Sequence, residues 1–276
     1  MYIWRKGATT NWLAKHGDDL QARFAGGVAI IEQPGKARSL VQVSCQHRRE
    51  ALDLQHNHGG TLEKLGPNWL QQVTKKNERA RPLRIGSRLV VTRTAGLEDE
   101  KTIVIPAEMA FGTGEHATTA MCLRLVERVT RPWPPGWRML DAGTGSGILA
   151  IAAARFGAGR IIAIDNDSGA IATARRNAAH NRASRIEFRV GNILQHKGTG
   201  RFNLITANLY SEILIPALPG WRRHLARDGW LILSGILRSQ ERAVVAALRS
   251  NRFRPTEIKR RGKWIALLAA PVGKNS

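Results

Sequence analysis

From about residue 100 onward, short apolar runs alternate with longer helix-like stretches. The runs include Ile103–Ile105, Met139-Leu140, Ile161–Ile164, Leu204–Ala207 and Leu231–Leu233. Strands separated by helices cannot pair through tight hairpins, so the crossovers make the pairing parallel and lay helices over both faces of the sheet. Runs this uniformly apolar suit strands buried on both sides. The reading is a doubly wound α/β domain. Two late segments, Phe253–Ile258 and Trp264–Ala270, flank Arg260-Arg261-Gly262 and read as a terminal hairpin.

The first 66 residues follow another rhythm. An amphipathic stretch carrying Trp12, Leu13, Leu20 and Phe24 precedes Val28-Ala29-Ile30-Ile31, a Pro34-Gly35 turn and the strand-like run Ser39–Val43. A second helix is expected near Arg49–Gln55, broken by Gly59-Gly60. Residues 1–66 therefore read as a small α+β domain. Residues 67–87 read as a basic linker helix ending near Pro82, with a strand at 88–92, and residues 88–276 form the main domain.

A chain of 276 residues buries enough surface to fold without a metal or disulfide staple. Its two cysteines, Cys45 and Cys122, lack ligand-like spacing, which argues against a disulfide scaffold or a cysteine metal site, and no metal is expected. No apolar run is long enough to span a bilayer, and Met1–Lys6 lacks the apolar core of a signal peptide, so a cytoplasmic location without a membrane partner is expected. Forty-three Lys and Arg against 21 Asp and Glu give a formal charge of +22. Such a field attracts polyanions and suggests a partner that is nucleic acid or sits on nucleic acid; the competing account is solvated arginine decorating an otherwise neutral scaffold. Oligomeric state is not legible.

The chemistry is concentrated in Asp141-Ala142-Gly143-Thr144-Gly145-Ser146-Gly147-Ile148, which follows one apolar run and opens a helix. Alternate glycines let the chain turn sharply and let a ligand approach the backbone. Asp165 ends the next strand, 18 residues after Gly147, where an acid grips both hydroxyls of a ribose. A dinucleotide fold would space its glycines as G-x-G-x-x-G and set pyrophosphate on a helix N-terminus. Here the spacing is G-x-G-x-G, and Asp141 at its head would repel pyrophosphate but suits the cationic end of S-adenosylmethionine, the expected cofactor.

Phe111-Gly112-Thr113-Gly114-Glu115-His116-Ala117-Thr118-Thr119, the Asp141 loop, Ala163–Asp167, Ala207-Asn208-Leu209 and Leu233–Leu237 occur in that order. Together they resemble the bacterial ribosomal protein methyltransferases of the PrmA type. The resemblance implies a seven-stranded, Rossmann-like, S-adenosylmethionine-dependent methyltransferase domain with five parallel strands and a closing hairpin, behind a small N-terminal domain, residues 1–66, that would recruit the substrate. It also implies methylation of large-subunit ribosomal protein eleven on lysine side chains and the N-terminal amine. Carried onto this chain, it places cofactor contacts at Thr119, Gly143, Asp165 and Asn208. Asp141, Gly145 and Asn192 complete the expected cofactor set; Asn192 stands where many methyltransferases carry an acid for the adenine amine.

Asn208 ends a strand on the carboxyl edge, where open α/β sheets bind ligands, and its amide can both donate and accept. Helix capping is the competing role for Asn208, Thr118 and Thr119. Asn208, His116 and Glu115 are the catalytic candidates, with Glu108 as a further group able to orient an ammonium. Glu115, Ala117 and Tyr210 depart from the family pattern, which would have Thr, Pro and a small apolar residue.

Two other functions compete. Asn208-Leu209-Tyr210 has a faint likeness to the N-P-P-[FY] motif of RNA and DNA amino-methyltransferases, without its prolines. The basic stretches 75–93 and 249–263 would equally serve a non-catalytic RNA-binding protein on a methyltransferase fold.

Overall fold

The computed structural model describes residues 1–24, 28–31, 38–66, 81–93, 100–106, 116–195 and 200–273. They belong to two compact units, Met1–Lys76 and Asn77–Ser276. Residues 67–80 of the expected linker helix lie outside the described residues, as do Glu108, Phe111–Gly114 and Glu115.

In the first unit, β1 (Tyr2–Ala8), α1 (Thr10–Arg23), β2 (Val28–Ile31), β3 (Ser39–Cys45), α2 (Arg48–His58) and β4 (Thr61–Lys64) follow one another. The strand order is β2-β3-β1-β4, every neighbouring pair antiparallel, which is the split β-α-β plan of ferredoxin-like units. Thr9 accepts a hydrogen bond from the Trp12 amide and starts α1; Gly59, at φ 67°, ends α2. Trp4, Leu20, Val41, Val43 and Leu54 fill the core. Two strands have no counterpart in the sequence reading. In β1 the apolar pair Ile3-Trp4 is adjacent to Arg5-Lys6, and β4 is an exposed edge whose Leu62 alone packs on the core.

The second unit opens with a three-stranded sheet, β5 (Leu83–Ile85), β6 (Leu89–Thr92) and β7 (Thr102–Val104), in that order. Two expectations change here. Leu83–Ile85 falls in the span read as a linker helix, yet forms a strand: Pro82 stops any helix, and alternation turns Ile85 into the core. The run at Ile103–Ile105, read as part of the main sheet, pairs in parallel with β6 instead. Asn181 closes its far side, with Oδ1 accepting from Val104 N at 2.7 Å and Nδ2 donating to Val104 O at 2.7 Å.

The main sheet contains β8 (Arg138–Ala142), β9 (Arg160–Asp165), β10 (Ile186–Val190), β11 (Phe202–Asn208), β12 (Leu225–Leu237), β13 (Phe253–Arg261) and β14 (Trp264–Pro271). Its order is β10-β9-β8-β11-β12-β14-β13. The first five strands are mutually parallel, and β14 runs antiparallel to both neighbours. The expected seven-stranded, doubly wound fold is present. Helices α3 (Ala117–Thr130), α4 (Ile148–Arg155), α5 (Ser168–His180), α6 (Ser211–His224) and α7 (Glu241–Ser250) cover it.

Strand alternation builds two cores. Met139, Ile161, Leu204 and Ile232 pack with Leu123 of α3 and Ile151 of α4, whereas Leu140, Ile162, Ile205 and Leu231 pack with Leu218 of α6 and Leu248 of α7. Register then fixes the site. Asp141 lies opposite Thr206, Ala142 opposite both Ile164 and Ala207, and Asn208 opposite Ser234. The carboxyl ends of four strands meet along one edge, and the winding reverses direction at β8.

Candidate active site

The loop leaving β8 turns on glycines with positive φ: 73° at Gly143, 54° at Gly145 and 80° at Gly147. Gly143 N and Thr144 N donate to Ile164 O at 2.8 and 3.0 Å, so the loop is tied to the end of β9. Gly147 N closes the turn on Thr144 O at 2.9 Å as α4 begins.

Asp165 ends β9 and faces this loop. Its Oδ2 accepts from Gly145 N at 2.9 Å and its Oδ1 from Asp167 N at 3.1 Å. Burial raises its carboxyl pKa, while those two amides pull it down by favouring the ionised form.

Asp141 is only 1% exposed and sits beneath the loop. Thr206 Oγ1 donates to Oδ1 at 2.6 Å and Thr144 Oγ1 to Oδ2 at 2.7 Å. Burial pushes its carboxyl up to about 6, against the pull of the two hydroxyls. With both oxygens taken by threonines, Asp141 joins the loop to β11. The sequence reading gave Thr144 and Thr206 no role; a hydroxyl inside the apolar run Leu204–Ala207 was the available signal.

Asn208 at the end of β11 donates from Nδ2 to Thr119 Oγ1 at 3.3 Å. Thr119 lies in the buried first turn of α3, so the contact joins segments 89 residues apart. His116 takes the position before that helix. Its Nδ1 is 2.7 Å from Thr118 Oγ1, and its ring meets Trp264 edge-on at 5.1 Å. Burial, then the Lys263 charge, lowers its pKa and favours the neutral ring. Asn192 stands apart after β10, exposed, with Oδ1 accepting from Leu194 N at 2.9 Å.

Leu209 has a structural role that the sequence alone does not reveal. Its N–H donates to Ser234 O at 3.0 Å, and its side chain covers the face of Gly143 where a Cβ would stand. Gly235, at φ 83°, lies against its backbone from the other side. Beneath this edge Cys122 is fully buried beside Ser234 with its thiol pushed up to about 12, which makes it an inert core residue. Among the described residues no group of three or more His, Cys, Asp or Glu is placed to hold a metal ion.

The family model for "Ribosomal protein L11 methyltransferase (PrmA)" matches residues 25–271. The chain belongs to this family. Among its relatives, the ribosomal protein L11 methyltransferase of Desulforapulum autotrophicum is 45% identical over 166 residues, 59% of this chain and 54% of that protein. That of Pelotomaculum thermopropionicum is 41% identical over 194 residues, 68% of this chain and 62% of that protein. The chain thus spans less than two thirds of the length of these relatives. The crystal structure of a ribosomal protein L11 methylase from Lactobacillus delbrueckii subsp. bulgaricus superposes with a TM-score of 0.62 at 31% identity, covering 70% of this chain and all of that one.

The PrmA family is S-adenosylmethionine-dependent, and the residues at this edge fit that cofactor. A ribose diol needs an acceptor at the tip of the second strand, and Asp165 stands there as a carboxylate already oriented by two amides. A cationic sulfonium and an amino-acid end need polar groups, and Thr119 and Asn208 place a hydroxyl and an amide at this edge.

Proposed function

We propose that the chain is an S-adenosylmethionine-dependent protein methyltransferase that acts in the cytoplasm on lysine side chains and the N-terminal amine of ribosomal protein L11. The contact between Thr119 and Asn208 carries this reading, since it unites the two family segments on the carboxyl edge of the sheet. The chain's relatives in Desulforapulum autotrophicum and Pelotomaculum thermopropionicum, both ribosomal protein L11 methyltransferases, support this substrate. The charge of +22 supports additional contact with RNA or ribosomal particles.

In this mechanism the bound cofactor supplies a methyl group already activated by its sulfonium. Asp165, Gly143, Gly145 and Asn192 hold the nucleoside part, while Thr119 and Asn208 hold the methionine end and receive the amine. With Nδ2 of Asn208 donating to Thr119, its Oδ1 accepts no hydrogen bond among the described residues and can orient an incoming N–H. The amine must arrive neutral, and desolvation at a buried edge lowers its pKa. His116, at the start of the helix that carries Thr119, is the side chain proposed to receive the released proton. In-line placement then supplies most of the rate.

The test is transfer of labelled methyl from S-adenosylmethionine into purified ribosomal protein L11 and, separately, into an extract of cells lacking this chain. Label released by protease and co-migrating with ribosomal protein L11 is the expected result. Label released only by nuclease would replace this reading with a nucleic-acid amino-methyltransferase.

A further inference from the structure

On the α3 face of the main sheet, away from the carboxyl edge, an open cleft of about 390 Å³ is lined by Val129, Pro132, Trp133, Trp230 and Leu268, with Arg128 and Glu257 at its rim. Trp230 pairs with Leu204 near the start of the parallel strands, so the cleft lies at the opposite end of the sheet from Asn208. Trp133 is half-buried and stacks edge-on against Trp137 at 5.3 Å. Two flat, partly exposed rings bordering an apolar cleft form a stacking platform.

Cations run from it in two rows, the second reaching the carboxyl edge, where Arg261 pairs with Trp264. Arg124 and Arg128 are exposed one turn apart on α3. The second row is on the edge strand β13. Phe253 and Ile258 turn into the core on the α7 side, and the bulge between Pro255 and Glu257 supplies the phase change between them. Arg254, Glu257, Lys259 and Arg261 therefore share the α3 face, as the ion pairs of Glu257 with both Arg128 and Lys259 require. Alternate positions on a strand recur about every 6.7 Å, a comb of positive charge. Glu257 is the only acid on β13, and two cations already neutralise it. Arg254 and Arg261 are exposed and make no ion pair among the described residues.

We propose that this face, the Trp133–Trp230 cleft between the α3 and β13 arginines, binds single-stranded RNA. Charge alone would attract any polyanion; stacking rings beside a charged strand favour one whose bases are unpaired. The choice of RNA over DNA rests on the ribosomal reading above, but the binding involves neither cofactor nor methyl transfer, so the two can fail separately. Phosphates would lie along Arg254, Lys259 and Arg261, and a base would enter the cleft against Trp133.

The test uses the full chain and a fluorescein-labelled single-stranded RNA of about 12 nucleotides, read by anisotropy from 50 to 300 mM KCl. Arg254→Glu/Arg261→Glu should weaken binding about tenfold or more at 150 mM salt and reduce the salt slope by roughly 1 to 1.5. Arg254→Gln/Arg261→Gln should do the same in milder form, and Trp133→Leu should cost about fivefold or more with the salt slope unchanged. Arg185→Glu/Arg242→Glu, two exposed arginines on other faces, should change affinity by less than about twofold. Equal losses from both pairs of reversals would overturn the site in favour of diffuse charge. An absence of RNA binding, or tighter binding to DNA of the same sequence, would overturn it outright. Each variant's thermal melt separates lost binding from lost folding.

Discussion

The side chain of Leu209 occupies the space into which a Cβ on Gly143 would project: such an atom would stand 2.8 Å from Leu209 Cγ. Gly143 must be glycine for two reasons, its φ of 73° and this leucine, and the second belongs to the protein rather than to any ligand.

Gly143→Ala is accordingly expected to destabilise the protein by about 2 kcal/mol or more, even without cofactor. In a Leu209→Ala background the penalty should shrink to that of the backbone conformation alone, roughly 1 kcal/mol. A double-mutant cycle by urea unfolding measures the difference, and additive losses would mean that Leu209 is not the obstacle.

Asp165→Asn removes the charge but keeps the shape of the group facing Gly145 N. Affinity for S-adenosylmethionine, measured by titration calorimetry, should fall about tenfold or more, because a ribose diol loses a charged acceptor. Unchanged affinity would take Asp165 out of the cofactor site.

Thr119→Val deletes the hydroxyl that receives the Asn208 amide at 3.3 Å. The expected effect is a fall in kcat of about tenfold with little change in the melting temperature. Thr119→Ser should restore most of the loss, since the hydroxyl returns; Asn208→Ala should be more severe, at about a hundredfold in kcat/KM. Full activity in Thr119→Val would detach that contact from catalysis.

Asp141 gives a pH signature. Its carboxyl titrates at about 6 in the folded protein, against 3.8 for an ordinary aspartate. Between those values the folded chain holds a proton that the unfolded chain has lost, so this group's contribution to stability declines as pH rises from about 4 to about 6 and is level above. Asp141→Asn does not titrate. Its stability relative to the parent should therefore climb through that window by up to roughly 3 kcal/mol, then plateau. Denaturant unfolding at several pH values checks this, and a pH-independent difference would contradict the raised pKa.

The central strands were legible because full burial demands uninterrupted apolar residues, as in Ile161–Ile164. Strand β10, with Glu187 and Arg189 at alternate positions on an edge, carries no such run and escaped notice. Ile103–Ile105 looked like a central strand for the same reason that Ile161–Ile164 was one, yet its partners are β6 and an asparagine side chain. Apolarity reports burial, not the identity of the neighbour. The glycine loop and Asp165 could be found by spacing, since both are local to one strand–helix–strand unit. The threonines on Asp141 could not, because Thr206 reaches it only through the pairing of β8 with β11, and strand order is not written in any one segment.

Strand β7 borders its small sheet, and a bordering strand offers unpaired amides and carbonyls to any extended peptide that approaches. At Val104 both groups are already taken by the single side chain of Asn181, which imitates the next strand without continuing it. An asparagine cannot pass the pairing on. The sheet therefore terminates inside the protein, where Val104 and Asn181 are both buried, and one short polar side chain satisfies backbone groups that no further strand reaches.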